Sequence, residues 1–242
     1  MRITRVYEPQ KLESGKVLVL SEQNAAHLCK VLRLPAGAEL AVFDGQGHEF
    51  SAHLTAAGKK AEIQIDAPVL NQRESPVYTI LGQVISRGDK MDLTIQKAVE
   101  LGVSEIYPLS SVRCGVKLDE KRQDKKIESW QKIAASACEQ SGRAFVPTVH
   151  PITALADFCK AVQQQGRLCL TLDPCSTTRI RDLSPTSEIC LLIGPEGGFD
   201  PEEIALSEKY QFKKVSLGPR ILRTETAALT ALSIIGSHFG DL

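Results

Sequence analysis

The chain has 242 residues, 43% of them hydrophobic, with 29 basic and 29 acidic side chains. Its length allows one large domain or two small ones with a substantial buried core. A formal net charge of zero gives no global attraction to phosphate, so composition alone argues mildly against a nucleic-acid partner.

Cysteine usage and the N-terminus indicate a soluble cytoplasmic protein. The cysteines form no CxxC pair and have few histidines near them, which predicts small buried apolar residues in a reducing compartment and no metal site. They are Cys29, Cys114, Cys138, Cys159, Cys169, Cys175 and Cys190. The N-terminal segment lacks the apolar core of a signal peptide, and no apolar run approaches the length of a membrane span.

The first part of the chain carries short strand-like runs separated by turn residues. The turns are the Asp44-Gly45-Gln46-Gly47 segment and Gly58, and the pattern predicts a small, mostly antiparallel β-barrel. The predicted strands are residues 3–7, 16–20, 39–43, 48–55 and 61–67.

One helix interrupts this barrel, and Ser21 is its expected N-cap. Helical spacing places Leu28, Val31 and Leu32 on one side, which we expect to be the packed side. The same spacing places His27, Lys30 and Arg33 on another side. The helix is therefore predicted to present a small positive stripe.

A polar segment ending in Pro76 separates this part from the rest of the chain, which predicts one domain over residues 1–70 and a second over residues 71–242. In the second domain, strand-like and helical runs alternate, which predicts an α/β fold with a mostly parallel sheet covered by helices. The predicted strands are residues 77–85, 104–109, 167–172, 188–193 and 214–217, and the predicted helices are residues 90–101, 120–141, 153–165, 201–210 and 224–238.

The sharpest local motif is Gly194-Pro195-Glu196-Gly197-Gly198, which follows an apolar strand and precedes a helix that opens at Asp200. Glycines let backbone groups approach a ligand closely, so the motif predicts a binding crevice at the carboxyl end of the strand. A tight turn that binds nothing is an equally good interpretation of these five residues alone.

A second loop, residues 217–226, also runs from a strand to a helix, for which Thr224 is the expected cap with Glu225 in the first turn. Two such loops could line one pocket. Arg220 and Arg223 could pair with surface carboxylates, as most arginines do, but their place beside a candidate ligand loop favours a role in binding.

A third stretch begins at Arg87-Gly88 and leads into a helix whose apolar residues predict core packing and whose end at Gly102 predicts a C-cap. Basic residues occur here and again between residues 113 and 145, where they face RNA phosphate or form an ordinary solvated surface. They are Arg87, Lys90, Lys97, Arg113, Lys117, Lys121, Arg122, Lys125, Lys126, Lys132 and Arg143.

Taken together, these motifs closely resemble the bacterial 16S ribosomal RNA uridine-N3 methyltransferases of the SPOUT superfamily. The resemblance covers essentially the whole chain. It rests on the segments at residues 97–102, 137–143, 194–199 and 217–228.

The resemblance implies a PUA-like RNA-binding domain, followed by a SPOUT domain whose chain forms a deep trefoil knot, and a homodimer. It also implies bound S-adenosylmethionine and, as substrate, 16S rRNA, expected within the assembled small ribosomal subunit. The implied cofactor-binding residues are Leu172, Gly194, Pro195, Glu196, Gly197, Gly198, Leu217, Gly218, Arg220, Ile221 and Leu222. The residues expected to bind RNA are Arg2, Arg5, Lys30, Arg33, Arg87, Lys90 and Arg143.

Methyl transfer to uridine N3 requires loss of the N3 proton. We expect Arg223 to hold the uracil or its phosphate and to stabilise the anionic base. Glu196 or Glu225 could accept the proton, although a structural role suits Glu196 better because it lies inside a glycine turn.

Two other functions fit the same sequence. The SPOUT fold could methylate a ribose 2′-hydroxyl, or the protein could be a catalytically idle RNA-binding assembly factor. The family resemblance favours N3 methylation, and the intact glycine loops argue against an idle pocket.

Overall fold

The computed structural model describes residues 3–116 and 119–242, and the chain divides into two compact units. One unit comprises Met1–Glu74 and Ala135–Val146, and the other comprises Ser75–Ala134 and Pro147–Leu242. The division after Glu74 lies close to the boundary expected after residue 70. The return of residues 135–146 to the first unit was not expected, because local sequence patterns carry no signal for a long-range contact of this kind.

The first unit contains a five-stranded sheet in the order β1-β3-β4-β5-β2. Only the pairing of β1 with β3 is parallel, so this sheet is mostly antiparallel, as predicted. Its core includes Leu28, Leu40, Leu54 and Ile63, all fully buried. The strands are β1 (Thr4–Tyr7), β2 (Val17–Val19), β3 (Glu39–Phe43), β4 (Glu49–Ala56) and β5 (Glu62–Val69).

Helix α1 (Glu22–Ala26) begins as predicted, because the Ser21 hydroxyl accepts a hydrogen bond from the backbone N–H of Asn24. It continues into a π-helical turn at His27–Val31. The wider turn changes which side chains face the core, so only Leu28 of the predicted apolar side is buried. Val31 and Leu32 are 68% and 41% exposed, which corrects the helical-spacing prediction.

Two arginines expected to bind RNA lie inside the first unit instead. Arg5 donates through two nitrogens to Glu49 and through a third to the carbonyl of Cys138. Arg143 is 4% exposed and donates twice to Glu74 at 2.7 and 2.9 Å. Because their guanidinium groups are enclosed by these partners, neither is available to phosphate, and the expectation is corrected for both.

The second unit is built on a parallel sheet in the order β12-β10-β11-β6-β7-β8, with β9 also paired to β7. This arrangement confirms the predicted α/β class. The strands are β6 (Tyr78–Val84), β7 (Glu105–Ser110), β8 (Thr148–Val149), β9 (Thr153–Ala154), β10 (Leu168–Leu172), β11 (Glu188–Ile193) and β12 (Lys213–Val215).

The remaining helices are α2 (Lys90–Glu100), α3 (Glu120–Ser141), α4 (Leu155–Val162), α5 (Pro201–Lys209) and α6 (Thr224–Phe239). A short 3-10 turn spans Ile180–Asp182. Helix α4 begins later than predicted because Thr153 and Ala154 pair with β7. Sequence patterns missed β8 and β9, since two residues are too few to establish a period of two.

Burial of the cysteines agrees with the prediction for four of them. Cys138, Cys159, Cys169 and Cys190 are buried, whereas Cys29 and Cys114 are half-buried and Cys175 is exposed. All seven are free thiols. Across the described ranges, no helix is both long and apolar enough to cross a membrane.

Candidate functional site

A cavity of about 550 Å³ lies at the carboxyl ends of β10, β11 and β12 in the second unit. Parallel sheets commonly bind ligands at this edge, because the loops that leave the strands converge there. The volume falls in the range of small-molecule sites. Its lining includes Lys90, Leu172, Asp173, Pro174, Ile193, Gly194, Pro195, Glu196, Gly198, Phe199, Ser216, Leu217, Gly218, Arg220, Ile221, Leu222, Arg223, Thr224 and Ala227.

The first glycine loop runs from the end of β11 into α5. The N–H of Gly198 donates to the carbonyl of Pro195 at 3.0 Å, and Gly198 has a φ of +69°, which favours glycine. Asp200 and Glu203 then cap the N-terminus of α5 with reciprocal side-chain to backbone hydrogen bonds. The tight turn and the capped helix hold the loop at the cavity, so the predicted crevice is present.

The second loop runs from β12 to α6, and Gly218 turns it with a φ of +126°. Thr224 does not cap α6 as expected, because Arg223 occupies the N-cap position without a side-chain capping bond. The Thr224 hydroxyl instead donates to the carbonyl of Gly194 at 2.6 Å. This hydrogen bond therefore joins the two loops that line the cavity.

Glu196 points at the start of α2 and is held there by two donors. Its Oε1 accepts from the backbone N–H of Arg87 at 3.2 Å and from Lys90 Nζ at 3.3 Å. Partial burial opposes ionisation, but these hydrogen bonds and one from its own backbone keep the pKa of Glu196 below its usual value. A carboxylate with a lowered pKa is a weak proton acceptor, which favours the structural role expected for it.

Arg220 and Arg223 both line the cavity with exposed side chains. In the part of the chain that the structure describes, neither forms an ion pair, so the interpretation as ordinary surface pairs does not apply to them. Two unpaired guanidinium groups at one cavity favour an anionic ligand or a developing negative charge.

Glu225 does not line the cavity, unlike the other two residues expected to be catalytic. It follows Thr224 in the first turn of α6. Its Oε2 is buried and has no hydrogen-bond partner among residues 3–116 and 119–242. Gly197 is likewise absent from the lining, although its carbonyl accepts from Arg113 Nη1 at 3.2 Å.

Two polar residues hold the first loop in a role that the sequence did not predict for them. Arg113 donates to Gly197 and also to Asp200, both at 3.2 Å, so it braces the loop from the segment after β7. Gln83 is fully buried in β6 and donates to Thr224 Oγ1 at 2.9 Å. The glutamine inside the apolar run 77–85 is a sequence signal for a buried polar role. No sequence signal predicts the contact of Arg113 with the loop.

The other residues expected to bind RNA differ in their surroundings. Lys30 and Arg33 are exposed, and no ion pair involves either of them within the described residues. Arg87 is exposed beside Gly115, and Lys90 is half-buried in its ion pair with Glu196. Arg2 and Lys117 lie outside the described residues.

Much of the remaining basic stretch forms ion pairs with neighbouring carboxylates, which is typical of a solvated surface. Lys97 pairs with Glu100, and Lys132 with Glu128. The pairs of Arg122 with Asp119 and of Lys126 with Asp92 are longer, at 3.3 and 3.9 Å.

Two family models match different parts of the chain. An RNA methyltransferase domain matches residues 73–236, and an RNA methyltransferase PUA domain matches residues 20–65. Among curated relatives, ribosomal RNA small subunit methyltransferase E of Buchnera aphidicola subsp. Acyrthosiphon pisum is 36% identical, with 99% of this chain and 95% of the relative covered. The Bacillus subtilis enzyme of the same name is 30% identical, with 93% and 92% covered.

Two solved structures are similar over the full length of both chains. A protein from Legionella pneumophila, in complex with the bound cofactor SAM, has a TM-score of 0.96 at 40% identity, with 100% of each chain covered. Ribosomal RNA small subunit methyltransferase E from Neisseria gonorrhoeae, bound to S-adenosylmethionine, has a TM-score of 0.94 at 37% identity, also with 100% of each chain covered.

Proposed function

The chain belongs to the ribosomal RNA small subunit methyltransferase E family, and from this premise we propose that it transfers a methyl group from S-adenosylmethionine to N3 of a specific uridine in 16S rRNA. The observation that carries the proposal is the cavity in the second unit, where two loops joined by the hydrogen bond from Thr224 to Gly194 lie beside the exposed side chain of Arg223.

The residues of this cavity suit S-adenosylmethionine. The volume of about 550 Å³ is sufficient for a ligand of that size, and the apolar side chains of Leu172, Ile193 and Leu222 suit an adenine ring. The glycine loops expose backbone groups that can hydrogen-bond the adenosine part. When bound, S-adenosylmethionine supplies a methyl group that is already activated as a sulfonium.

The protein's own part in the reaction is to orient the acceptor base, exclude water and accept the N3 proton. Uridine N3 is protonated at neutral pH and lies inside a base pair in duplex RNA, so the base must be unpaired or flipped before it reacts. Arg223 is proposed to stabilise the negative charge on the uracil oxygens as the N3 proton leaves. An arginine cannot itself accept that proton, because its pKa is too high.

Of the two candidate carboxylates, Glu225 is the one that we propose as the proton acceptor. The two hydrogen bonds from Arg87 and Lys90 stabilise the charged form of Glu196 and weaken it as a base. One oxygen of Glu225 is buried and has no hydrogen-bond partner among the described residues, so it lacks donors like those that hold Glu196. Glu196 is then a positioning residue for the first glycine loop.

RNA binding is assigned mainly to residues 1–70, which include the match to the PUA domain, with residues 71–242 as the methyltransferase domain. Lys30 and Arg33 are the proposed phosphate contacts there, with Arg87 and Lys90 beside the cavity. Because the chain has a net charge of zero, phosphate attraction cannot account for recognition alone. We therefore expect the shape of an assembled small subunit to contribute as well. A PUA-like barrel, a trefoil knot, a homodimer and a cytoplasmic location complete the proposal, on the strength of the family resemblance.

Mass spectrometry of nucleosides tests this proposal. We would incubate the protein and S-adenosylmethionine with unmodified 16S rRNA or with small subunits assembled from it, and then digest the RNA. The expected product is a uridine methylated on the base, formed faster on small subunits. A methylated ribose would instead establish the 2′-O reaction, and absence of any methylated nucleoside would favour the idle assembly factor.

A further inference from the structure

A fully buried glutamine lies next to the first glycine loop without lining the cavity. Gln83 is in β6, and its parallel-sheet partner in β11 is Ile193, the residue immediately before Gly194. Its Nε2 donates to the carbonyl of Val84 and to Thr224 Oγ1, both at 2.9 Å. Its Oε1 is buried and has no hydrogen-bond partner within the described residues.

The directions of these hydrogen bonds are fixed by chemistry. The Gly194 carbonyl can only accept, so the single hydroxyl hydrogen of Thr224 must point towards it. The hydroxyl oxygen can then only accept from Gln83, which must present its NH₂ group rather than its carbonyl. The Val84 carbonyl also requires the NH₂ group, so the Gln83 amide and the Gly194 carbonyl both favour the same direction of the Thr224 hydroxyl.

We propose that Gln83 and Thr224 form a positioning relay that sets the Gly194 carbonyl, and with it the first glycine loop, in the geometry that binds S-adenosylmethionine. This inference rests on the proposed function. Thr224 is 6% exposed and directly follows Arg223, so the relay also fixes the start of α6 from which that arginine projects. Neither relay residue has to touch the reacting atoms.

Calorimetry with S-adenosylmethionine tests the relay without relying on turnover. Thr224→Val removes the hydroxyl with little change in shape and should weaken binding by about five- to tenfold, whereas Thr224→Ser keeps the hydroxyl and should bind almost as the wild type. Thr94→Val is the matched control. Thr94 is likewise buried, and its hydroxyl donates to the backbone carbonyl of Lys90 at 2.8 Å, but this hydrogen bond lies within α2 and does not join the two loops.

Substitution of Gln83 provides a signature that general destabilisation would not produce. With Gln83→Leu, the Thr224 hydroxyl can still donate to Gly194, so binding should weaken only slightly. With Gln83→Glu, an ionised carboxylate can only accept and would draw the hydroxyl hydrogen away from Gly194. Gln83→Glu should therefore bind more weakly than Gln83→Leu, with melting temperatures recorded to establish that each variant is folded.

Equal affinity of Thr224→Val and the wild type would overturn the relay, as would equal losses in Thr224→Val and Thr94→Val. Failure of Thr224→Ser to restore binding would also overturn it, and this comparison remains decisive if Gln83→Glu does not fold. Absence of binding by the wild type itself would overturn the proposed function and the relay with it.

Discussion

Arg223 lies at the wall of the cavity with an exposed side chain and, across residues 3–116 and 119–242, no ion-pair partner. Replacement by alanine removes a preorganised positive charge but none of the glycine-loop backbone. Arg223→Ala should therefore bind S-adenosylmethionine nearly as the wild type, while its single-turnover methylation rate falls by about a hundredfold or more.

The control for this substitution is Arg181→Ala, since Arg181 is also exposed but does not line the cavity. Its methylation rate should match that of the wild type. Near-normal turnover by Arg223→Ala would exclude Arg223 from the reaction, and a large loss of cofactor affinity would reassign it to cofactor binding.

Glu105, at the start of β7, has a pKa that its neighbours lower strongly. His150 Nε2 lies 2.6 Å from one carboxylate oxygen, and the hydroxyls of Tyr78 and Tyr107 also donate to this carboxylate. The hydrogen bond from His150 contributes most to lowering the pKa of Glu105 to about 2, against the effect of burial. Burial and the same carboxylate raise the pKa of Tyr107 to about 12.

Because the folded-state pKa of Glu105 is depressed, its contribution to stability is present above its ordinary pKa of 4.5 and is lost as the pH falls towards about 2. Glu105→Gln should melt several degrees below the wild type at neutral pH, and the difference should shrink across that acidic window. Glu128→Gln, at an exposed ion pair, is the control and should change little. A difference independent of pH would contradict the assignment.

The positions of residues at the cavity could be predicted where the evidence lay in neighbouring sequence, but contacts between distant residues could not. The glycines and arginines of the two loops follow strands directly, and the structure brings nearly all of them to one cavity. The burial of Arg5 and Arg143 could not be predicted, because their partners Glu49 and Glu74 are distant in sequence. The partner of Thr224 was missed for the same reason.

At the scale of elements, the π-helical turn His27–Val31 sets which side chains the first unit presents to solvent. Lys30 is exposed on this turn, and Arg33 follows it with a φ of +54°, in the left-handed region. Helical spacing correctly placed His27, Lys30 and Arg33 at the surface, but it wrongly predicted that Val31 and Leu32 are packed. A period of 3.6 residues cannot reveal a wider turn. Strands long enough to show alternation were located almost to the residue, whereas the two-residue strands β8 and β9 were not.

Removal of the positive charges of Lys30 and Arg33 tests whether the turn at residues 27–33 contacts RNA. The double variant Lys30→Ala/Arg33→Ala should bind 16S rRNA more weakly, and its affinity should depend less steeply on salt, because fewer phosphate counterions are released. Affinity for S-adenosylmethionine should not change, since both residues are in the first unit and the cavity is in the second.

The matched control is Lys59→Ala/Lys60→Ala, which removes two exposed charges from another turn of the same unit. It should leave most of the RNA affinity and the salt slope intact. If the two double variants behave alike, the turn at residues 27–33 has no specific role in RNA binding.

At the scale of the whole molecule, neutral charge pointed away from nucleic acid, yet the chain belongs to a family of RNA methyltransferases. Composition averages over the chain and cannot reveal local features such as the exposed side chains of Lys30 and Arg33. Alternation of strands and helices was enough to predict the parallel sheet. The grouping of residues 135–146 with the first unit depends on contacts between distant segments, which no local pattern encodes.

Calorimetry with a blocked cavity tests whether S-adenosylmethionine binds between the two loops. Ala227 of α6 lines the cavity, whereas its exposed neighbour Thr226 does not. The wild type and Thr226→Trp should each bind one S-adenosylmethionine per chain, while Ala227→Trp, which fills part of the cavity, should bind at least about tenfold more weakly. Unchanged binding by Ala227→Trp, or no binding by the wild type, would show that this cavity is not the S-adenosylmethionine site.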